Sequence, residues 1–172
     1  MRKAKEITIG AGDKAGKVFG LLLAPRDSKA FLMLAHGAGA GMRHRFMEEV
    51  AAKLADQNVA TLRYQFPYME KRTKRPDPQN VLTDTVRAAV AVAKKHAGQL
   101  PLFAGGKSMG GRMTSLAAAK APLDGVRGLI FSAFHCTLRA NRKPSAVNTW
   151  PISMSRCYYS RARAMRWLIS SC

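Results

Sequence analysis

Between Ala30 and Phe131 the chain alternates short apolar runs with longer amphipathic ones, and this alternation leaves few folds open. Ala30–Ala35, Val59–Tyr64, Leu102–Ala104 and Val126–Phe131 are nearly continuous apolar runs, the pattern of strands covered on both faces. Arg45–Asp56 and Val81–His96 between them read as helices, and Met113-Thr-Ser-Leu-Ala-Ala-Ala-Lys120 as a third. Helical spacing turns Phe46, Val50 and Leu54 of the first inward and Glu48, Glu49 and Lys53 outward; in the second, Val86, Ala89, Val90 and Ala93 face the core. Strand-helix alternation of this kind predicts a doubly wound, mostly parallel α/β sheet. Ahead of it, Lys5–Gly10 and Lys17–Ala24 read as an antiparallel pair at the sheet edge, joined by a glycine turn.

One strand-helix junction carries chemistry. Leu102–Ala104 runs into Gly106-Lys-Ser-Met-Gly110, and the helix begins directly after it. In a G-x-S-x-G at such a junction the serine occupies a sharp, strained turn, and the flanking glycines let strand and helix approach closely. Ser108 is therefore a candidate nucleophile, with the amides of the following helix N-terminus available to a developing oxyanion. A phosphate-binding loop would need a glycine at Pro101, so that reading of Gly106-Lys-Ser fails.

A second glycine-rich loop, His36-Gly-Ala-Gly-Ala-Gly41, follows the Ala30–Ala35 strand. Its glycines let backbone amides reach a ligand oxygen, whereas a dinucleotide fingerprint would need glycine at Met42. His36 opens the loop and is read as ordering it rather than as a base. The segment Gln65–Pro78 is too polar and proline-rich to predict regular structure. It leaves the end of a strand, where ligands bind in such sheets, so Phe66, Tyr68 and Met69, with His36, are candidate pocket residues. Lys71–Arg75 reads equally well as a solvated basic loop.

These motifs, with Arg63-Tyr-Gln-Phe-Pro-Tyr-Met-Glu70 and Lys74-Arg-Pro-Asp-Pro78, resemble the dienelactone-hydrolase-like branch of the α/β-hydrolase superfamily. That branch is related to the testis-expressed and nonspecific-lethal-complex hydrolase-like proteins. The resemblance covers residues 1–131. It implies a serine hydrolase acting on a small acyl substrate, an ester, thioester or lactone, without metal or cofactor. Ser108 would be the catalytic nucleophile, and the amides of Met109 and of Ala38 and Gly39 the oxyanion hole. The family places a catalytic aspartate after the next strand and a histidine after the last one.

Neither is present. All ten acidic residues lie at or before Asp124, and the one later histidine, His135, follows the Phe131 strand too closely. A serine without a base is a poor nucleophile, so little or no hydrolysis is expected of this chain. From Ser132 the character also changes: the segment holds all three cysteines and both tryptophans, many arginines and no carboxylate. Joining the last base of each codon there to the first two of the next permits a reading that contains NVPMLLFKGTRD, a strand followed by the expected acid motif. The expectation is an α/β-hydrolase-like core over 1–131, truncated after the strand at 126–131. Residues 132–172 would be a basic, poorly ordered tail translated out of frame after loss of one base near the Phe131 codon.

A formal charge of +19 permits a nucleic-acid partner, though none is the primary expectation. The alternative reading is a non-catalytic hydrolase-like interaction protein or a basic nucleic-acid binder. No apolar run approaches the ~18 residues of a membrane span, and the first residues lack the apolar stretch of a secretion signal. The chain is therefore read as cytoplasmic and without a membrane partner. A sheet that stops early would expose an edge, a route to self-association.

Overall fold

The computed structural model describes residues 3–132 and the two-residue strand Tyr159–Ser160. The expectations for the rest of segment 132–172 lie outside the described residues. Strands β1 (Lys5–Gly10) and β2 (Lys17–Leu23) form the antiparallel pair, in register from Lys5 opposite Leu22 to Gly10 opposite Lys17. They are followed by β3 (Ala30–Ala35), α1 (Arg45–Asp56), β4 (Val59–Tyr64), α2 (Pro67–Glu70), α3 (Gln79–Ala97), β5 (Leu102–Lys107), α4 (Met109–Lys120), β6 (Val126–Ser132) and β7 (Tyr159–Ser160). The sheet order is β1-β2-β4-β3-β5-β6-β7. Its centre, β4-β3-β5-β6, is parallel, and β1, β2 and β7 pair antiparallel outside it.

All six residues of β3 are buried, which explains its unbroken apolar sequence, and its side chains divide by alternation between two layers. Phe31, Met33 and Ala35 join α3, α4 and the β1-β2 pair in the main core, where Val86, Ala89, Val90 and Ala93 are buried as expected. Leu32 and Leu34 face α1 together with Phe103 of β5. Large apolar side chains fully buried in this way stabilise the fold by roughly 1.5–3 kcal/mol each before entropy is counted.

Two local expectations are corrected. The fully buried positions of α1 are Met47, Ala51 and Ala55, one residue along from the predicted Phe46, Val50 and Leu54, which are half-buried beside them. Met47 packs on β3, β4 and β5 with Phe46, Val50 and Leu54 beside it, while Ala51 and Ala55 cluster with Leu23 of β2. Within Gln65–Pro78, a short α2 forms because Pro67 occupies the first helical position, where its missing N–H and fixed φ cost nothing. The sheet is truncated after β6 as expected, apart from the two-residue β7, which pairs with the outer edge of β6 at Gly128 and Leu129. Unpaired edge groups on β6 accept any extended dipeptide of suitable direction.

The connections position the site. From β3 the chain passes through α1 on one face to β4, then through α3 on the other face to β5, on the far side of β3. Loops after β3 and β5 thus depart to opposite faces, which opens a crevice at the carboxyl ends of these neighbouring strands.

Candidate active site

Ser108 stands at the tip of β5, exposed, with φ 48° and ψ −112°. An L-residue there pays on the order of 1–3 kcal/mol of backbone strain. Surroundings fix this conformation. The Ser108 N–H donates to the Ser132 carbonyl of β6 at 3.1 Å, and its own carbonyl accepts from the Arg112 N–H at 3.0 Å.

Glycines make the turn possible by close approach. A Cβ on Gly106 would stand 2.5 Å from the Ala35 carbonyl oxygen, and one on Gly110 2.5 Å from that of His36 and 2.6 Å from that of Ala35. A Cβ on Gly111 would meet the Gly106 carbonyl oxygen and the Phe131 ring at 2.9 Å. The end of β3, the end of β5 and the first turn of α4 are therefore in backbone contact. That first turn carries amides with no intrahelical acceptor, and Met109 is its first residue.

The loop after β3 lies across the same junction, with Gly37 packed beside the Lys107 carbonyl. Ala38 and Gly39 are exposed, and Gly39 has φ +71°. His36, wholly buried, uses both ring nitrogens: Nδ1 bonds the Gly37 carbonyl at 2.8 Å, and Nε2 accepts the Phe66 N–H at 3.0 Å. This pattern defines a neutral ring protonated on Nδ1. Burial lowers its pKa, opposed by the bond to Gly37, so the ring has no free nitrogen with which to act as a base.

Phe66 and Tyr68 are buried below the loop, their rings 5.0 and 6.1 Å from that of His36. They support the loop from the core. Met69 lines an open groove of about 530 Å³ bounded also by Gly39, Arg72, Thr73 and Lys74.

The far end of the loop is held by two residues that the sequence reading passed over. Gln65 Oε1 accepts the Met42 N–H at 2.8 Å, and Arg63 Nη1 donates to the Met42 carbonyl at 3.1 Å. Arg63 is only 4% exposed. Its pKa is lowered by burial, an effect the Glu48 carboxylate at 3.9 Å opposes. An arginine within the otherwise apolar run Val59–Tyr64 was the available signal, since a buried charge requires partners.

The described residues bring no acid-base pair to Ser108. Asp124 lies at the opposite end of the sheet, before β6, where it is paired with Lys94 at 2.6 Å. Among the described residues no group of three or more His, Cys, Asp or Glu could hold a metal ion. None of the described helices is long and apolar enough to cross a membrane.

Comparison with known proteins agrees with this architecture. The structure is similar to that of dienelactone hydrolase from Anabaena variabilis, with TM-score 0.64 and 21% identity over 75% of this chain and 62% of that one. It is also similar to a lidless α/β serine hydrolase from Xanthomonas campestris, with TM-score 0.60 and 17% identity over 76% and 61%. A thermostable carboxyl esterase from Bacillus coagulans matches with TM-score 0.62 and 17% identity over 76% and 44%. This chain thus spans less than two thirds of each of these proteins. No curated protein matches it. Residues 28–157 match the family described as alpha/beta hydrolase domain, a span that runs past Phe131 into the segment of altered character. This match covers most of the chain, and the chain belongs to the alpha/beta hydrolase domain family.

Proposed function

We propose that this chain carries the nucleophile and oxyanion hole of a serine hydrolase for esters, thioesters or lactones. Ser108 Oγ is the attacking atom, and the amides of Met109 and of Ala38 and Gly39 receive the carbonyl oxygen. In the reaction, Oγ bonds to the carbonyl carbon as its proton passes to a base. Negative charge moves to the carbonyl oxygen, and collapse expels the alcohol or thiol, with water later releasing the acyl group. The observation that supports this most is the strained, exposed backbone of Ser108. Strain of this size persists only where the surroundings over-determine it, and such places cluster at functional sites.

The described residues supply the hole and the nucleophile but no base, and the sequence after Asp124 supplies no carboxylate. Turnover by this chain therefore stays near background. We attribute the missing aspartate to the displaced reading frame, in which the Asp of GTRD falls across the codons of Ala164 and Met165. Nucleotide sequencing checks this directly: a single inserted base near the Phe131 codon must open one continuous frame through GTRD. If no such change does so, the frame displacement is wrong.

Treatment of the folded chain with a fluorophosphonate tests the nucleophile. Slow, selective modification of Ser108, absent in Ser108→Ala, is expected. A folded sample in which Ser108 reacts no faster than other serines would support the non-catalytic reading instead.

A further inference from the structure

The groove beside the glycine loop is built as a charged site. Arg72 and Lys74 stand on its wall, both exposed, and neither forms an ion pair among the described residues. The two acids of this segment are engaged elsewhere: Glu70 accepts the Phe19 N–H at 2.8 Å, and Asp77, its side chain 15% exposed, lies 4.0 Å from Lys71. Among the described residues no carboxylate lines the groove, and Met69 gives it an apolar flank.

The wall is also fixed in place. After α2 the chain turns with Arg72 at φ 55°. The Arg72 N–H donates to the Met69 carbonyl at 3.1 Å, and Thr73 donates to the Tyr68 carbonyl from both its N–H (2.9 Å) and its hydroxyl (3.0 Å). Tyr68 is 1% exposed, and its phenol lies beside the Gly39 backbone. Tyr68 therefore holds the cationic turn through its backbone carbonyl while its ring lies beneath the loop that offers oxyanion donors, and Gly39 belongs to loop and groove alike.

We propose that this groove selects substrates carrying an anionic group, a carboxylate or a phosphate. Met69 contacts the carbon chain, and Arg72 and Lys74 take the charge. Arginine and lysine both suit such groups, arginine by a planar fork and lysine as a point charge. The proposal rests on the reading of Ser108 as the acyl-transfer centre.

Amide NMR of the full chain tests it with monomethyl glutarate, an ester bearing one free carboxylate, against uncharged dimethyl glutarate. The monoester should shift the Gly39, Arg72, Thr73 and Lys74 amides and bind about tenfold more tightly than the diester. That advantage should shrink as salt is raised. It should vanish in Arg72→Gln/Lys74→Gln, whose exposed substitutions leave the thermal midpoint unchanged. Competition by inorganic phosphate would assign phosphate-bearing substrates, and its failure would assign carboxylates.

Equal binding of the two esters, or an unchanged preference in the double variant, overturns the groove. The Met109 and Gly110 amides report the acyl site separately. If the groove amides respond while these stay silent, the groove stands and the hydrolase reading falls. If these respond while the groove stays silent, the reverse holds. Silence at both sites overturns both.

Discussion

Two glycine-rich segments meet at the ends of β3 and β5, and they use glycine for different reasons. At the elbow, side chains on Gly106 and Gly110 would run into backbone carbonyls 2.5 Å away. In the loop, a Cβ on Gly39 would meet nothing within 4 Å, but the backbone is left-handed at φ +71°. The elbow is thus a packing constraint, shared by three elements that cannot separate without loss of the fold. The loop is a conformational constraint, imposed from its ends by His36, Gln65 and Arg63. In this fold the Ser108 turn is held by contact and the glycine loop by suspension.

Substitutions separate the two. Gly110→Ala should have the largest effect, since backbone cannot yield as a flexible side chain does. A loss of about 3 kcal/mol in urea unfolding, or failure to fold, is expected from such overpacking. An effect below half of that would show that the elbow is looser than described. His36→Ala comes next: it opens a cavity and leaves the Phe66 N–H unpartnered, which should cost about 2 kcal/mol. Gly39→Ala should cost only about 1 kcal/mol, the penalty of a left-handed L-residue in open space. A loss as large as that of Gly110→Ala would erase the distinction.

His36 also gives the loop a pH signature. Burial lowers its pKa below the ordinary 6.5, so the unfolded chain takes up a proton near that pH while the folded chain does not. Stability rises with pH wherever the unfolded state binds more protons. The contribution is therefore complete above about pH 6.5 and is lost as pH falls from there toward the folded-state pKa. Unfolding midpoints measured from pH 7.5 to 5 should show this slope in the parent chain and a shallower one in His36→Ala.

Much of the fold was legible because each signal was local. The apolar runs at Ala30, Val59, Leu102 and Val126 are too short for helices and too continuous for one-sided strands, and all four became parallel neighbours. The serine turn was legible for the same reason, its glycines being spaced by the geometry of one junction. The loop's supports were not legible, because they act across the sheet. Gln65 reaches Met42 over 23 residues and Phe66 reaches His36 over 30, so only strand order brings them together. The burial of Phe66 and Tyr68 was not legible, because aromatic side chains after a strand end suit both a cavity and the core beneath it. The α1 face was misjudged by one position because its buried residues are mostly alanines, weak markers in a sequence dominated by Phe46, Val50 and Leu54.

The central claim is that Ser108 is held in a strained backbone by its surroundings. Equilibrium unfolding of Ser108→Gly, compared with Ser108→Ala, measures that strain without any need for catalysis. Glycine normally destabilises a chain through its unfolded-state entropy. Here relief of the strained backbone should outweigh that, making Ser108→Gly more stable than both Ser108→Ala and the parent by about 1 kcal/mol. A glycine variant less stable than the alanine one would mean that the serine sits in a relaxed turn, and the account of this site would fail.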